Sequence, residues 1–210
     1  MYCVNDCVDR FIKTYNKIKE SGLLKICNSV NVVLVGDDKL RRYESRINFL
    51  DKVKTTCFSS DTKGEMNTLR TIQSFCQSAQ DSHILYLHSK GASRGKNQNI
   101  ESWVNYMEYF SIEKHLICLE KLREYDTVGV ELHAEPMKHY SGNFWWANST
   151  YIKTLPTFEE GLKSGSVNDP IWYCEFWLMN TTHNPCNPYN LHTAGKDLYA
   201  NAYEESNYKL

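Results

Sequence analysis

Ile84-Leu85-Tyr86-Leu87-His88-Ser89-Lys90-Gly91 is a short apolar run that stops abruptly in a histidine, a lysine and a glycine. A continuous apolar run of this length, bounded by polar and turn residues, reads as a buried strand. Upstream, Met66, Leu69, Ile72 and Phe75 recur at helical spacing. Downstream, Ala92–Asn99 is polar and contains a glycine, Gly95, which reads as a loop before two helices over 100–110 and 112–124. A strand over 127–132 follows, and the aromatic stretch 143–147 reads as another.

The same alternation extends towards the N-terminus. Residues 1–4 read as a first strand. Val8, Phe11, Ile12, Tyr15 and Ile18 then mark one face of a helix that Gly22 can end. Val32–Val35 is a buried strand of mostly β-branched residues, with Gly36-Asp37-Asp38 at its end. Leu40, Tyr43, Ile47 and Leu50 suggest a short helix, and 55–58 a weaker strand. Asp169 before Pro170 is a strong helix start, a capping side chain followed by proline in the first turn.

Alternating strands and helices predict an α/β fold with a mostly parallel central sheet flanked by helices on both faces. Ligands of such sheets bind beyond the carboxyl ends of the strands. Three polar clusters fall there: Gly36-Asp37-Asp38, His88-Ser89-Lys90 and Glu131-Leu132-His133.

The composition narrows the function. The chain has 210 residues, 41% hydrophobic and 23% charged, with a formal net charge of -1. That suits one domain with a sizeable core. A near-neutral balance argues against a general nucleic-acid binder. None of the eight cysteines forms a C-x-x-C pair, so they read as reduced thiols in a cytoplasmic protein. No apolar run is long enough to span a membrane. The boundary read from the chain is one domain over 1–196, with 197–210 a polar tail or a linker to further domains.

Four constellations carry the chemistry. His88 and Lys90 lie two apart at a strand end, so they face one side. Such a His can bind metal and such a Lys can meet a phosphate. Spacing alone equally allows a hydrogen-bonded His and a solvated Lys. His192-Thr193-Ala194-Gly195-Lys196 repeats the pairing, with a glycine that lets backbone approach a diphosphate. His139-Tyr140-Ser141-Gly142-Asn143-Phe144-Trp145-Trp146 offers rings to stack on sugars and amides to hold hydroxyls, though a core strand would look the same. Glu175 sits in an aromatic helix, Trp172-Tyr173-Cys174-Glu175-Phe176-Trp177, where desolvation raises a carboxyl pKa and can suit a general base or a hydroxyl acceptor, though a partly exposed helix glutamate would look the same. Asn67 and Thr68 begin the helix before the His88 strand and could face a nucleotide. Glu65 in that first turn is explained by the helix dipole alone.

Together, Glu65-x-x-Thr68-Leu69, Tyr86-Leu87-His88-Ser89-Lys90-Gly91, Trp103-x-x-x-Met107-x-Tyr109-Phe110, Tyr125-Asp126-x-Val128-Gly129 and His139-x-Ser141-Gly142-Asn143-Phe144-Trp145-Trp146-Ala147 resemble a family of GT-A-like glycosyltransferases. Bacterial polysaccharide clusters and large DNA viruses carry such proteins, among them the N-terminal domains of chlorella-virus capsid-glycan enzymes. The resemblance spans roughly residues 1–196. It implies a GT-A-like, Rossmann-like fold and a UDP-sugar donor, with glucose or L-rhamnose the sugars the family setting suggests. It also implies Mn²⁺ or Mg²⁺ and a glycan or glycoprotein acceptor in viral capsid or surface glycan synthesis, in the host cytoplasm if viral. His88 and His192 would then contact the metal. Lys90 and Lys196 would meet phosphate oxygens, and Tyr2, Val4, Asp37, Asn67, Thr68, Asn143 and Trp145 would line the donor site. Glu175, with Lys90, would carry the chemistry. The family's usual Asp-x-Asp metal motif is replaced here by His88-Ser89-Lys90, a departure from the pattern. Two other readings remain at this point: a carbohydrate-binding module without catalysis, and a metal-dependent hydrolase using Asp37, Asp38 and His88.

Overall fold

A computed structural model of the chain describes residues 7–36, 40–59, 65–78, 80–91, 97–164, 167, 169–181 and 184–209. Tyr2, Val4 and Asp37, expected at the donor site, lie outside them, as do Asp38 and the strand expected over 1–4.

The chain begins with α1 (Cys7–Glu20), followed by α2 (Leu23–Ile26), β1 (Val30–Gly36), α3 (Leu40–Ser45), β2 (Val53–Ser59) and α4 (Glu65–Ser78). Val8, Tyr15 and Ile18 of α1 are buried, as their spacing demands. β1 and β2 pair in parallel from Val30 opposite Val53 to Gly36 opposite Ser59. Then come β3 (His83–Tyr86), α5 (Gln98–Glu108), a π-helical turn (Tyr109–Glu113) and α6 (His115–Lys121). Asn97 caps α5 by accepting from the Asn99 and Ile100 backbone N–H groups. The remaining elements are β4 (Thr127–Gly129), β5 (Leu132–His133), β6 (His139–Tyr140), β7 (Trp145–Asn148), α7 (Ser149–Ile152), α8 (Phe158–Lys163), α9 (Pro170–Phe176) and β8 (Pro188–Asn190). Asp169 caps α9 through the Ile171 N–H, with Pro170 in the first turn.

A GT-A-like, mostly parallel central sheet is not what these residues build. Among the described residues β1 and β2 form a separate two-stranded parallel sheet. The larger sheet has four short strands in the order β3-β7-β4-β8 and is mixed. β7 is antiparallel to both β3 and β4, and β8 is parallel to β4. The cause lies just before β7. Gly142 at φ 93° and Asn143 at φ 58° turn the chain back, so the aromatic strand slots between β3 and β4 in the opposite direction. The strand expected over 127–132 is cut for a related reason: Glu131 takes φ 54°, which ends the ladder at Gly129 and leaves Leu132–His133 to pair with His139–Tyr140.

The mixed sheet still has one rim that matters. Tyr86, Trp145, Gly129 and Asn190 stand in one row across the four strands. β3, β4 and β8 leave that row through His88, Glu131 and His192, and β7 enters it from Asn143. Four segments separated by up to a hundred residues in sequence thus meet at one edge.

The core lies on both sides of this sheet. Trp145, Tyr151, Phe158, Tyr173 and Trp177 pack under α4, α7, α8 and α9. Trp103, Tyr106, Met107 and Phe144 pack under α5. Leu198, Tyr203 and Tyr208 from the polar stretch after residue 196 join this second cluster. Among the described residues no helix is long and apolar enough to cross a membrane, and the cysteines are free thiols.

Candidate functional site

At the rim, Glu65 is the organising carboxylate. Its Oε2 accepts from the Tyr86 hydroxyl at 2.9 Å and from Asn143 Nδ2 at 2.9 Å. Its Oε1 faces His88 Nδ1 at 3.2 Å. The other ring nitrogen of His88 donates to the Gly142 carbonyl at 3.0 Å, since a carbonyl oxygen can only accept. The imidazole is also stacked on Tyr86, with 6.0 Å between centroids. Asn143 is itself fixed: it accepts from the Trp145 indole N–H at 2.9 Å and donates to the Cys174 carbonyl at 3.3 Å.

Glu175 faces this group from α9. Burial pushes its carboxyl up from the ordinary range, and the negative charge of Glu65 pushes it further. The charges of His88, Lys90 and His139 offset part of that rise. Two carboxyls therefore share one basic surrounding, and their environments differ. Glu65 accepts from Tyr86 and Asn143 and faces His88, whereas the Glu175 carboxyl is raised, as suits an acid/base group.

A cleft of about 470 Å³ opens beside this cluster, lined by Trp103, Glu131, Ser141, Lys196, Tyr199 and their neighbours. The Lys90 ammonium lies 4.0 Å from the centre of the Trp103 ring and 5.5 Å from that of Tyr199. Lys90 is only 8% exposed, so its charge is held against the cleft wall rather than in bulk water. Lys196 borders the same cleft. Its ammonium donates to the Ala202 carbonyl at 3.2 Å and lies 4.9 Å from the Tyr203 ring centre. The buried Trp103 indole N–H has no hydrogen-bond partner among the described residues.

Glu131 builds the opposite wall and is 3% exposed. It accepts from the Tyr106 hydroxyl at 2.9 Å and from the Ala194 backbone N–H, and its other oxygen lies 3.5 Å from His133 Nε2. Its backbone N–H donates to the His192 carbonyl and its carbonyl accepts from Ser141 N–H. One residue in a left-handed conformation thus ties the 139–142 and 192–194 segments together. Such a conformation, costly for a side-chain-bearing residue, persists where surroundings over-determine it.

The expected site residues divide accordingly. Lys196 lines the cleft and Lys90 lies against its Trp103 and Tyr199 rings, while His88 and Asn143 hold Glu65, and Glu175 feels the charges of Glu65, His88 and Lys90. Trp145 does not line it; at 1% exposed it is a core residue whose indole N–H anchors Asn143. Asn67 is buried in α4 and Thr68 half-buried beside it, and neither lines the cleft. Glu65, read from sequence as a dipole partner, and Glu131 prove central. Only their positions at a helix start and a strand end hinted at this.

Among the described residues the side-chain donors do not gather into a divalent-ion site. Both ring nitrogens of His88 are engaged, by Gly142 and Glu65. His192 Nδ1 lies 3.0 Å from the Tyr106 hydroxyl, whose proton goes to Glu131, so Nδ1 carries the hydrogen and Nε2 is left as a single ligating lone pair, too few for a site by itself. Among the described residues no three His, Cys, Asp or Glu side chains gather as a metal site.

A family model described as Domain of unknown function (DUF8361) matches residues 7–202. No curated protein and no solved structure matches the chain.

Proposed function

The chain belongs to the DUF8361 family, and we propose that it is a glycosyltransferase moving a sugar from a nucleotide-diphosphate donor, UDP-linked, to a glycan hydroxyl. One observation carries the reading: Lys196 lines a cleft walled by Trp103 and Tyr199, the Lys90 ammonium lies against those same two rings, and its charge reaches Glu175, a carboxyl of raised pKa. The likeness of the His88–Lys90 and Gly142–Trp146 motifs to glycosyltransferases supports the same chemistry.

In this mechanism the diphosphate lies between Lys90 and Lys196. The acceptor hydroxyl oxygen forms a bond to the anomeric carbon as the bond from that carbon to the β-phosphate oxygen breaks. The bonding electron pair leaves with the phosphate, and the two ammonium groups stabilise the charge that grows there. Glu175, as carboxylate, takes the hydroxyl proton. His88 and Asn143 hold Glu65 in place, and Glu65 keeps Glu175 basic through its charge. A direct displacement of this kind inverts the anomeric centre.

The uncharged isostere Glu175→Gln tests the assignment. Turnover of UDP-sugars is expected to fall by about a hundredfold or more, the usual scale for loss of a general base, with UDP affinity retained. Undiminished turnover removes Glu175 from the mechanism. A screen of UDP-, GDP- and CMP-sugars in which no donor is turned over by the unaltered protein counts against transfer itself.

A further inference from the structure

α9 presents a narrow exposed face. Ile171 and Trp172 are 51% and 61% exposed, while Tyr173, Cys174, Phe176 and Trp177 are buried. At about 100° per residue, Glu175 falls between Ile171 and Trp172 around the helix and one turn further along. Residues three and four apart on a helix are surface neighbours, so the side chain of Glu175 rises between these two apolar groups. The carboxyl therefore ends a short strip that begins as an exposed indole.

Resting on the transferase reading above, we propose that Trp172 is the platform of the acceptor subsite, stacking the apolar face of a pyranose ring whose hydroxyl reaches Glu175. The chemistry of the strip selects that occupant. A pyranose has one face of C–H groups and a rim of hydroxyls, so it needs a flat apolar surface with a hydrogen-bond acceptor at its edge. The strip supplies both in one helical turn and runs into the carboxylate pair. The diphosphate end is excluded from it by charge: Lys196 lines the cleft and Lys90 lies against its Trp103 and Tyr199 rings, while the strip carries only a carboxyl.

The molecule supplies its own reporter. Of the five tryptophans, Trp103, Trp145, Trp146 and Trp177 are buried, and Trp172 is exposed. Acrylamide quenching of the intrinsic fluorescence therefore reads Trp172. The probes are maltotriose, cellotriose and a rhamnose-containing trisaccharide, each added to the UDP-loaded protein. Protection of the quenchable fraction by at least one of them is expected. Trp172→Ala should abolish the quenchable fraction and raise the half-saturating trisaccharide concentration, followed by calorimetry, about tenfold. Trp172→Phe should bring that concentration most of the way back, and UDP affinity should stay constant throughout. If the trisaccharides bind and Trp172→Ala leaves their affinity unchanged, the subsite is refuted. If UDP binds and no trisaccharide protects Trp172, the subsite is likewise refuted while the donor reading stands. Protection by sugar in a protein that does not bind UDP sinks the transferase reading and leaves the platform in place.

Discussion

Asn143→Ala should be among the most damaging single changes outside the apolar core. The side chain is buried and makes three hydrogen bonds, to Glu65, to the Cys174 carbonyl and from the Trp145 indole. Removing the amide strands a buried indole N–H, at about 1 to 2 kcal/mol, and takes a charge-assisted bond from Glu65, at about 2 kcal/mol. The backbone adds to this. Asn143 has φ 58°, where asparagine is tolerated and alanine costs about 1 kcal/mol more. The total is about 4 to 5 kcal/mol, a large part of the stability of an ordinary domain. For a chain of this size it lowers the melting temperature by about 10 to 15 °C. Thermal unfolding followed by circular dichroism measures it directly. Asn143→Gly separates the two contributions, since it loses the same hydrogen bonds but accepts the left-handed backbone, and should melt a few degrees above the alanine variant. An alanine variant within about 3 °C of the parent, or a glycine variant melting below the alanine variant, refutes the reasoning.

Glu175 gives a pH prediction. Its carboxyl is held above the ordinary range, so the folded state keeps its proton to higher pH than the unfolded chain does. Stability from this group therefore falls as pH rises from the ordinary carboxylate range through the raised pKa. Glu175→Gln should accordingly melt higher than the parent at neutral pH while losing turnover; a lower melting temperature contradicts the burial argument. Since the Glu65 charge is one cause of the rise, Glu65→Gln should move the acidic limb of the rate profile to lower pH, read from donor turnover against pH. Gly129→Ala should destabilise by about 1 to 3 kcal/mol, because its new methyl would sit 2.7 Å from the Tyr140 ring. A denaturation midpoint unchanged from the parent contradicts that packing.

Much of the local structure is legible in the chain. The Asp169-Pro170 start, the α1 stripe and the β1 run each follow from a rule acting within a few residues. The sheet is not legible at that range. Phe144, Trp145, Trp146 and Ala147 are all buried, so the run carries no alternation to show its direction, and only the left-handed pair Gly142-Asn143 sets it. Glu131 hides for the same reason: its conformation depends on Tyr106, Ala194 and His192, all distant in sequence. Leu198, Tyr203 and Tyr208 follow no helix or strand period, so their burial is set by the α5 surface they cover. The rim rule survived the loss of the parallel sheet because β3, β4 and β8 still point one way. The positions of His88 and His192 beyond strand ends were therefore legible, while the place of Glu175 on α9 was not, and Trp145 was not distinguishable from a ligand-facing ring.

The convergence of the two lysines is tested most directly by titrating UDP and uridine into the protein by calorimetry, with Lys90→Ala and Lys196→Ala alongside. UDP should bind at least about tenfold more tightly than uridine. Each substitution should erase most of that difference and leave uridine affinity unchanged. Equal affinities for UDP and uridine, or a preference that survives both substitutions, would contradict a diphosphate gripped between Lys90 and Lys196.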